Sequence, residues 1–218
     1  MVLTHPFYSP TRVIEGHDFE EALANVLQGR RWALATSSGW VERGVVTTLS
    51  SGCENLITVF DGCKENPTVD TVSDLAKAIN DVEVYVGLGG GSVIDALKGA
   101  SALIALDYDL SIFREHLVSG IKLPLDLSVK PIIAVPTTSG TSSEITPWGT
   151  LWGDDLIKYS VQSELLYPSY AIYDPNLTIS MPEGLTLATG LDALSHAMES
   201  VWNRRHMSIT DELASQAI

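Results

Sequence analysis

Positive charge is scarce in this sequence: 13 Lys and Arg stand against 27 Asp and Glu, a formal net charge of −14. Nucleic-acid affinity comes mostly from clustered Lys and Arg, so a phosphate-backbone partner is excluded, and an anionic lipid surface is disfavoured for the same reason. Cysteine is nearly absent. Cys53 and Cys63 form no C-x-x-C and have no His at knuckle spacing, so they read as two reduced thiols. No segment approaches the roughly 18 to 20 unbroken apolar residues of a membrane span, and "MVLTHPFYSPTRVIEG" shows no basic leader followed by an apolar stretch. The expectation is a cytoplasmic protein with neither membrane nor nucleic acid as partner. Two motifs are also missing: no G-x-G-x-x-G marks an ordinary dinucleotide fold, and no G-x-S-x-G marks a nucleophile elbow.

What is present is an apolar content of 45% in 218 residues, enough for one good core or two small ones. Short β-branched runs alternate with amphipathic stretches over the first 180 residues, the pattern of an α/β layer with a parallel sheet flanked by helices. Strands are expected at 31–36, 56–60, 82–88, 131–136 and 170–174, and helices at 18–28, 40–50, 68–80 and 92–105. Residues 106–130 read as a surface connection with a short helix at 110–117. From Pro182 onward only helix is expected, with Ser180 as cap and Pro182 at the first turn. This divides the chain into an α/β nucleotide-binding domain, 1–181, and the beginning of an all-α domain, 182–218. The last residues, "ITDELASQAI", carry helical spacing with no stop signal, as though the second domain were incomplete.

Three stretches carry chemistry. "VEVYVGLGGGSVIDALK" is a buried strand, three glycines, a serine and a helix. Glycines there let a group approach closely, and the first-turn amides attract an anion such as phosphate. A tight turn capped by Ser92 is the plainer alternative. Asp95 and Lys98 follow on the same side, as a support for that loop or as an ordinary surface ion pair. "PIIAVPTTSGTSSE" leaves another buried strand into a run of hydroxyls that could bind a ribose, a diphosphate or an amide, or could simply be solvated. "GLDALSHAMES" places Asp192 and His196 one helical turn apart, with Glu199 nearby. Two such side chains can converge on one metal ion, or they can bond to each other on an exposed face. Leu191, Leu194, Met198, Val201 and Trp202 form the apolar stripe of the same helix, which is expected to be mostly buried with the polar trio facing a cleft.

Taken together, "GGGSVIDALK", "PTTSGTSSE", "YDPNLTISMP" and "TGLDALSHAMES", in this order, resemble the iron-containing (group III) alcohol dehydrogenase family. The likeness runs from "FYSPTRVIEG" to the last residue. It implies a nucleotide-binding α/β domain before an all-helical domain, with a divalent metal, Fe2+ or Zn2+, in the cleft between them. The ligands it implies are Asp192 and His196, plus two histidines lying beyond Ile218. His5, His17, His116 and His206 match no family motif. For the cofactor the resemblance implies Gly90, Gly91 and Ser92 at the diphosphate, with Asp95 close by. Thr137 and Thr138 fall on the ribose and nicotinamide side, Asn66 and Lys158 are further cofactor residues, and Leu177 borders the adenine pocket.

Two departures from the family pattern bear on function. Ser142 stands where many members have Gly, and Ser37 stands where NAD-preferring members carry an aspartate. Losing that carboxylate removes repulsion toward a 2′-phosphate, so NADPH is favoured, or both cofactors are accepted. The implied activity is an oxidoreductase reaction: hydride transfer between NAD(P)H and a small aldehyde or alcohol. "HAMESVWN" and "KYS" resemble the phosphonoacetaldehyde reductase branch, which implies an anionic aldehyde. No residue is singled out as general acid. Alternatives are a relative similar to dehydroquinate synthase or glycerol-phosphate dehydrogenase, or an inactive nucleotide-binding fragment. With two ligands missing, residues 1–218 alone are expected to show little activity. The family also implies a homodimer paired through a strand such as "TRVIEG".

Overall fold

The computed structural model describes residues 7–153 and 155–218; His5 lies outside them. Six strands make one all-parallel sheet in the order β1-β8-β5-β4-β2-β3. The strands are β1 (Arg12–Glu15), β2 (Trp32–Ala35), β3 (Leu56–Phe60), β4 (Val84–Gly89), β5 (Ile132–Pro136) and β8 (Tyr170–Tyr173). Side chains alternate across this sheet, because successive strand residues point to opposite faces. Ala33, Ala35, Tyr85 and Ile132 join one buried cluster, whereas Trp32, Leu34, Val84, Val86, Ile133 and Val135 join the other. Both faces are therefore covered by helices. The first cluster is completed by α4 (Val69–Ala78), α5 (Gly91–Ala105) and α6 (Leu110–Ser119); the second by α1 (Phe19–Leu27) and α3 (Val45–Gly52). Continuous apolar runs such as IIAVP are the signature of strands buried on both sides.

Local chemistry sets the helix starts. Asp18 caps α1 by accepting from the Glu21 amide at 2.9 Å, and Thr68 caps α4 by accepting from Thr71 at 3.2 Å. The expected helix at 40–50 is two helices, α2 (Ser38–Glu42) and α3, because Gly44 turns left-handed at φ 84° between them. Asp109 starts α6, and Gly120 ends it in the left-handed conformation.

Other differences from the sequence reading have physical causes. "TRVIEG" supplies β1, an edge strand that pairs in register with β8 through Arg12 opposite Tyr170 and Glu15 opposite Tyr173. The antiparallel hairpin of β6 (Trp148–Trp152) and β7 (Lys158–Gln162) was not anticipated, because Trp, Gly and Lys break its apolar alternation. After β8 the chain is helical, with α7 (Glu183–Trp202) and α8 (Ser208–Ala217). Ser180 does not cap α7: its hydroxyl accepts from Arg43 instead, and Pro182 takes the cap position without a side-chain bond. Nor is α7 mostly buried. Leu191 is 56% and Trp202 66% exposed, since among the described residues the remaining packing partner of that stripe is α8. None of the described helices is long and apolar enough to cross a membrane.

Candidate active site

In a parallel sheet every carboxyl end lies on one edge, and ligands bind where successive connections leave in opposite directions. That point here lies between β2 and β4: the chain passes outward from β2 to β3, then crosses back to β4 on the other side of β2. A cleft of about 460 Å³ opens there. Its walls include Ser37 beyond β2, Asn66 beyond β3, Gly90, Gly91 and Ser92 beyond β4, Thr137 and Thr138 beyond β5, and Leu177 beyond β8. Eight positions assigned to the cofactor from sequence thus converge on one opening.

The glycine loop is shaped to admit a close neighbour. A Cβ on Gly91 would lie 2.5 Å from the Thr141 hydroxyl, so the two loops can abut only without that side chain. Gly90, not Ser92, is the N-cap of α5 and offers no side-chain cap, so the first-turn amides stay available to an anion. Ser92 sits within that first turn. Ser142 adopts a left-handed conformation at φ 53°, the region in which glycine is easiest to place.

A second cleft of about 390 Å³ adjoins the first and shares Asn66, Gly91, Ser92 and Thr141 with it. Asp95, Trp148, Trp152, Lys158, Asp192 and His196 also line it. Lys158 is its only lysine or arginine among the described residues, and its ammonium sits 5.2 Å from the centre of the Trp152 ring. His196 Nε2 lies 3.8 Å from Asp192 Oδ1. The other ring nitrogen, Nδ1, faces the Gly140 carbonyl at 3.2 Å, a contact that is a hydrogen bond when Nδ1 carries the proton, because a carbonyl only accepts. In that tautomer Nε2 is the nitrogen left to coordinate, on the side of the Asp192 carboxylate. A carboxylate and a neutral imidazole with its second nitrogen anchored are the donor types a divalent cation requires, so these residues fit the metal that the family resemblance implies. They are two donors of a set; among the described residues no group of three His, Cys, Asp or Glu is assembled for a metal. Glu199 instead accepts from Ser195 at 2.8 Å.

Asp95 and Lys98 are not a surface ion pair. Lys98 is fully buried and donates to the carbonyls of Ser143 at 2.5 Å and Trp148 at 2.6 Å. The Ser143 hydroxyl accepts from Lys98 at 3.1 Å and donates to Asp95 Oδ1 at 2.5 Å, while Asp95 Oδ2 accepts from the Thr150 amide at 3.0 Å. The pair fastens the bend that leads from the hydroxyl-rich loop into the hairpin. Burial raises the Asp95 carboxyl and pushes the Lys98 ammonium down to about 8, each shift opposed by the charge of the other.

The iron-containing alcohol dehydrogenase family model matches residues 10–175. This chain belongs to that family. Among curated relatives it is 36% identical to 4-hydroxybutyrate dehydrogenase of Cupriavidus necator, over 78% of this chain and 45% of the relative. It is 32% identical to sulfoacetaldehyde reductase of Bilophila wadsworthia, over 97% of this chain and 55% of that protein. The crystal structure of sulfoacetaldehyde reductase from Bifidobacterium kashiwanohense in complex with NAD+ superposes with a TM-score of 0.87 at 31% identity, covering 98% of this chain and 57% of that one. The chain spans about half the length of the relatives it matches.

Sequence reasoning missed several residues of the first cleft, chiefly Trp40, Arg43, Lys64, Met181 and Leu185. Arg43 was findable. Trp40 and Arg43 stand three apart in the segment directly after Ser37, and the guanidinium lies 4.8 Å from the Trp40 ring centre.

Proposed function

We propose that this chain is the nucleotide-binding part, residues 1–181, and the start of the metal-binding helical part, residues 182–218, of an NAD(P)H-dependent reductase of small anionic aldehydes. The observation that carries the reading is the confluence of the two clefts at Gly91, Ser92 and Thr141. One cleft is lined by an anion-binding helix start, the other by a carboxylate and imidazole pair. When bound, the cation would draw charge from the substrate oxygen and the nicotinamide would exchange hydride with the substrate carbon. The chain's own residues do the positioning. Amides of the α5 start take the diphosphate, Thr137 and Thr138 hold the ribose and nicotinamide side, Leu177 supports the adenine, and Asp192 with His196 holds the cation. Lys158, over the Trp152 ring in the second cleft, serves the cofactor and adds positive potential toward an anionic substrate. Two relatives are named for compounds that join a reacting oxygen to an anionic group, 4-hydroxybutyrate and sulfoacetaldehyde, which supports the same class here, phosphonoacetaldehyde included.

Reduced-nicotinamide absorbance with a panel of short aldehydes, with and without a phosphonate, sulfonate or carboxylate, tests the reading on the intact protein. Net cofactor oxidation that favours the charged aldehydes is expected. Absence of net turnover would point instead to a lyase that uses the cofactor only transiently. Residues 1–218 alone, with two metal donors, should turn over little.

Cofactor choice follows from the adenosine end of the cleft. Ser37 supplies no carboxylate there, whereas Arg43 and Lys64 line the same cleft. Both favour a 2′-phosphate, so NADPH should be preferred. Ser37→Asp places an anion against that phosphate and is expected to lower kcat/KM for NADPH by about 10-fold or more, while NADH loses little. Equal effects on both cofactors in steady-state assays would refute this placement.

A further inference from the structure

The hydroxyl-rich loop meets α7 at Gly140, which lines neither cleft. Gly140 has a φ of 144°, a conformation that side chains rarely adopt, and a Cβ there would lie 2.6 Å from the Thr189 carbonyl oxygen on α7. Its own carbonyl faces His196 Nδ1 at 3.2 Å. The next residue, Thr141, lies against Gly91 of the glycine loop, its hydroxyl 2.5 Å from where a Cβ would stand. An unbroken line of contacts therefore runs from the cofactor's glycine loop, through Thr141 and Gly140, to the imidazole expected to ligate the metal.

We propose that Gly140 is a positioning residue that couples cofactor binding to metal binding. Its carbonyl holds the His196 ring in the Nδ1–H tautomer, leaving Nε2 free for the cation, and its missing side chain lets the loop seat against Thr189. The loop bearing Thr137 and Thr138 lines the cleft proposed for the cofactor, so nucleotide contacts that hold the loop would also hold the acceptor that orients His196. Coupling of this kind is reciprocal: the factor by which nucleotide tightens metal binding is the factor by which metal tightens nucleotide binding. The proposal rests on the reading of Asp192 and His196 as metal ligands and adds an orienting partner that neither resemblance nor motif supplies.

The test is metal affinity, read by chelator competition with Zn2+ on the intact, metal-stripped protein, with and without NADP+. In the wild type NADP+ should raise Zn2+ affinity by about 10-fold. Gly140→Ala should weaken Zn2+ binding by about 10-fold or more, as loss of a ligand-orienting partner does, and bring the NADP+ effect close to unity. NADP+ affinity of the metal-free variant should fall by a smaller factor than Zn2+ affinity, because Gly140 itself lines neither cleft, whereas Thr189, which its Cβ would press, borders the nucleotide cleft. The imidazole tautomer of wild-type His196, read from nitrogen chemical shifts, gives a measurement that does not depend on the variant folding; Nδ1–H is expected. An Nε2–H tautomer, or a wild-type NADP+ effect of one, overturns the coupling while leaving the metal site standing. No Zn2+ binding that depends on Asp192 and His196 overturns the site and the coupling together.

Discussion

Replacing His196 by alanine should strip the intact protein of its divalent metal and lower kcat/KM for aldehyde reduction by about 10³-fold, a loss of roughly 4 kcal/mol of transition-state stabilisation. The reason lies in the geometry of α7. Asp192 and His196 face the second cleft one turn apart, with Nε2 and Oδ1 separated by 3.8 Å, so a cation held between them loses its only imidazole from this segment. Asp192→Asn should act in the same direction, since an amide oxygen is a weaker, neutral donor. NADPH binding to metal-free protein should remain within about 3-fold of wild type, because neither side chain lines the nucleotide cleft. Metal content by elemental analysis, nucleotide affinity by fluorescence and initial rates decide it together. Full activity with undiminished metal content would remove the basis for assigning the cation to α7.

The split between the two clefts also shows what the sequence could and could not disclose. Glycine runs, hydroxyl runs and a D-x-x-x-H spacing are local patterns, each confined to about one turn or loop, and all three were readable before any fold was known. Eight positions assigned to a cofactor on resemblance come from five separate strand ends and meet in one opening, because parallel strands deliver their carboxyl ends to one edge. The hairpin β6–β7 was hidden for the opposite reason. Its strands, WGTLW and KYSVQ, mix Trp, Gly and Lys with small polar residues, and no clean period-2 apolar alternation survives. Arg43 left a fainter trace, its three-residue spacing from Trp40 directly after Ser37, and the fold adds that all three line one cleft. The exposure of the α7 stripe was not readable either. Amphipathic spacing states that a face seeks a partner, and says nothing of whether these 218 residues contain it.

Lys98 shows the limit most sharply, since a D-x-x-K spacing on a helix reads as a surface pair, yet the ammonium is wholly enclosed among oxygens of the 143–148 bend. Lys98→Met should lower unfolding stability by about 3 to 5 kcal/mol, because it strands the Asp95 carboxylate and leaves two buried carbonyls without their charged donor. Burial pushes this ammonium from its ordinary 10.5 down to about 8, so between those values the unfolded chain holds a proton that the folded chain has released. Stability from this group is therefore level below about pH 8 and rises as the pH climbs toward 10.5. The stability gap between wild type and Lys98→Met should widen over that window, with tyrosines and other alkaline groups common to both cancelling from the difference. Denaturant titrations at pH 7, 8, 9 and 10 measure it. A gap that stays constant, or narrows, would mean that the four oxygens around Nζ hold the proton as firmly as water does. Because the same bend carries Trp148 and Thr150 to the metal-side cleft, the variant should also lose aldehyde turnover at temperatures where it remains folded. A merely destabilised enzyme would keep its rate until it melts, whereas a misplaced hairpin lowers kcat well below the melting temperature.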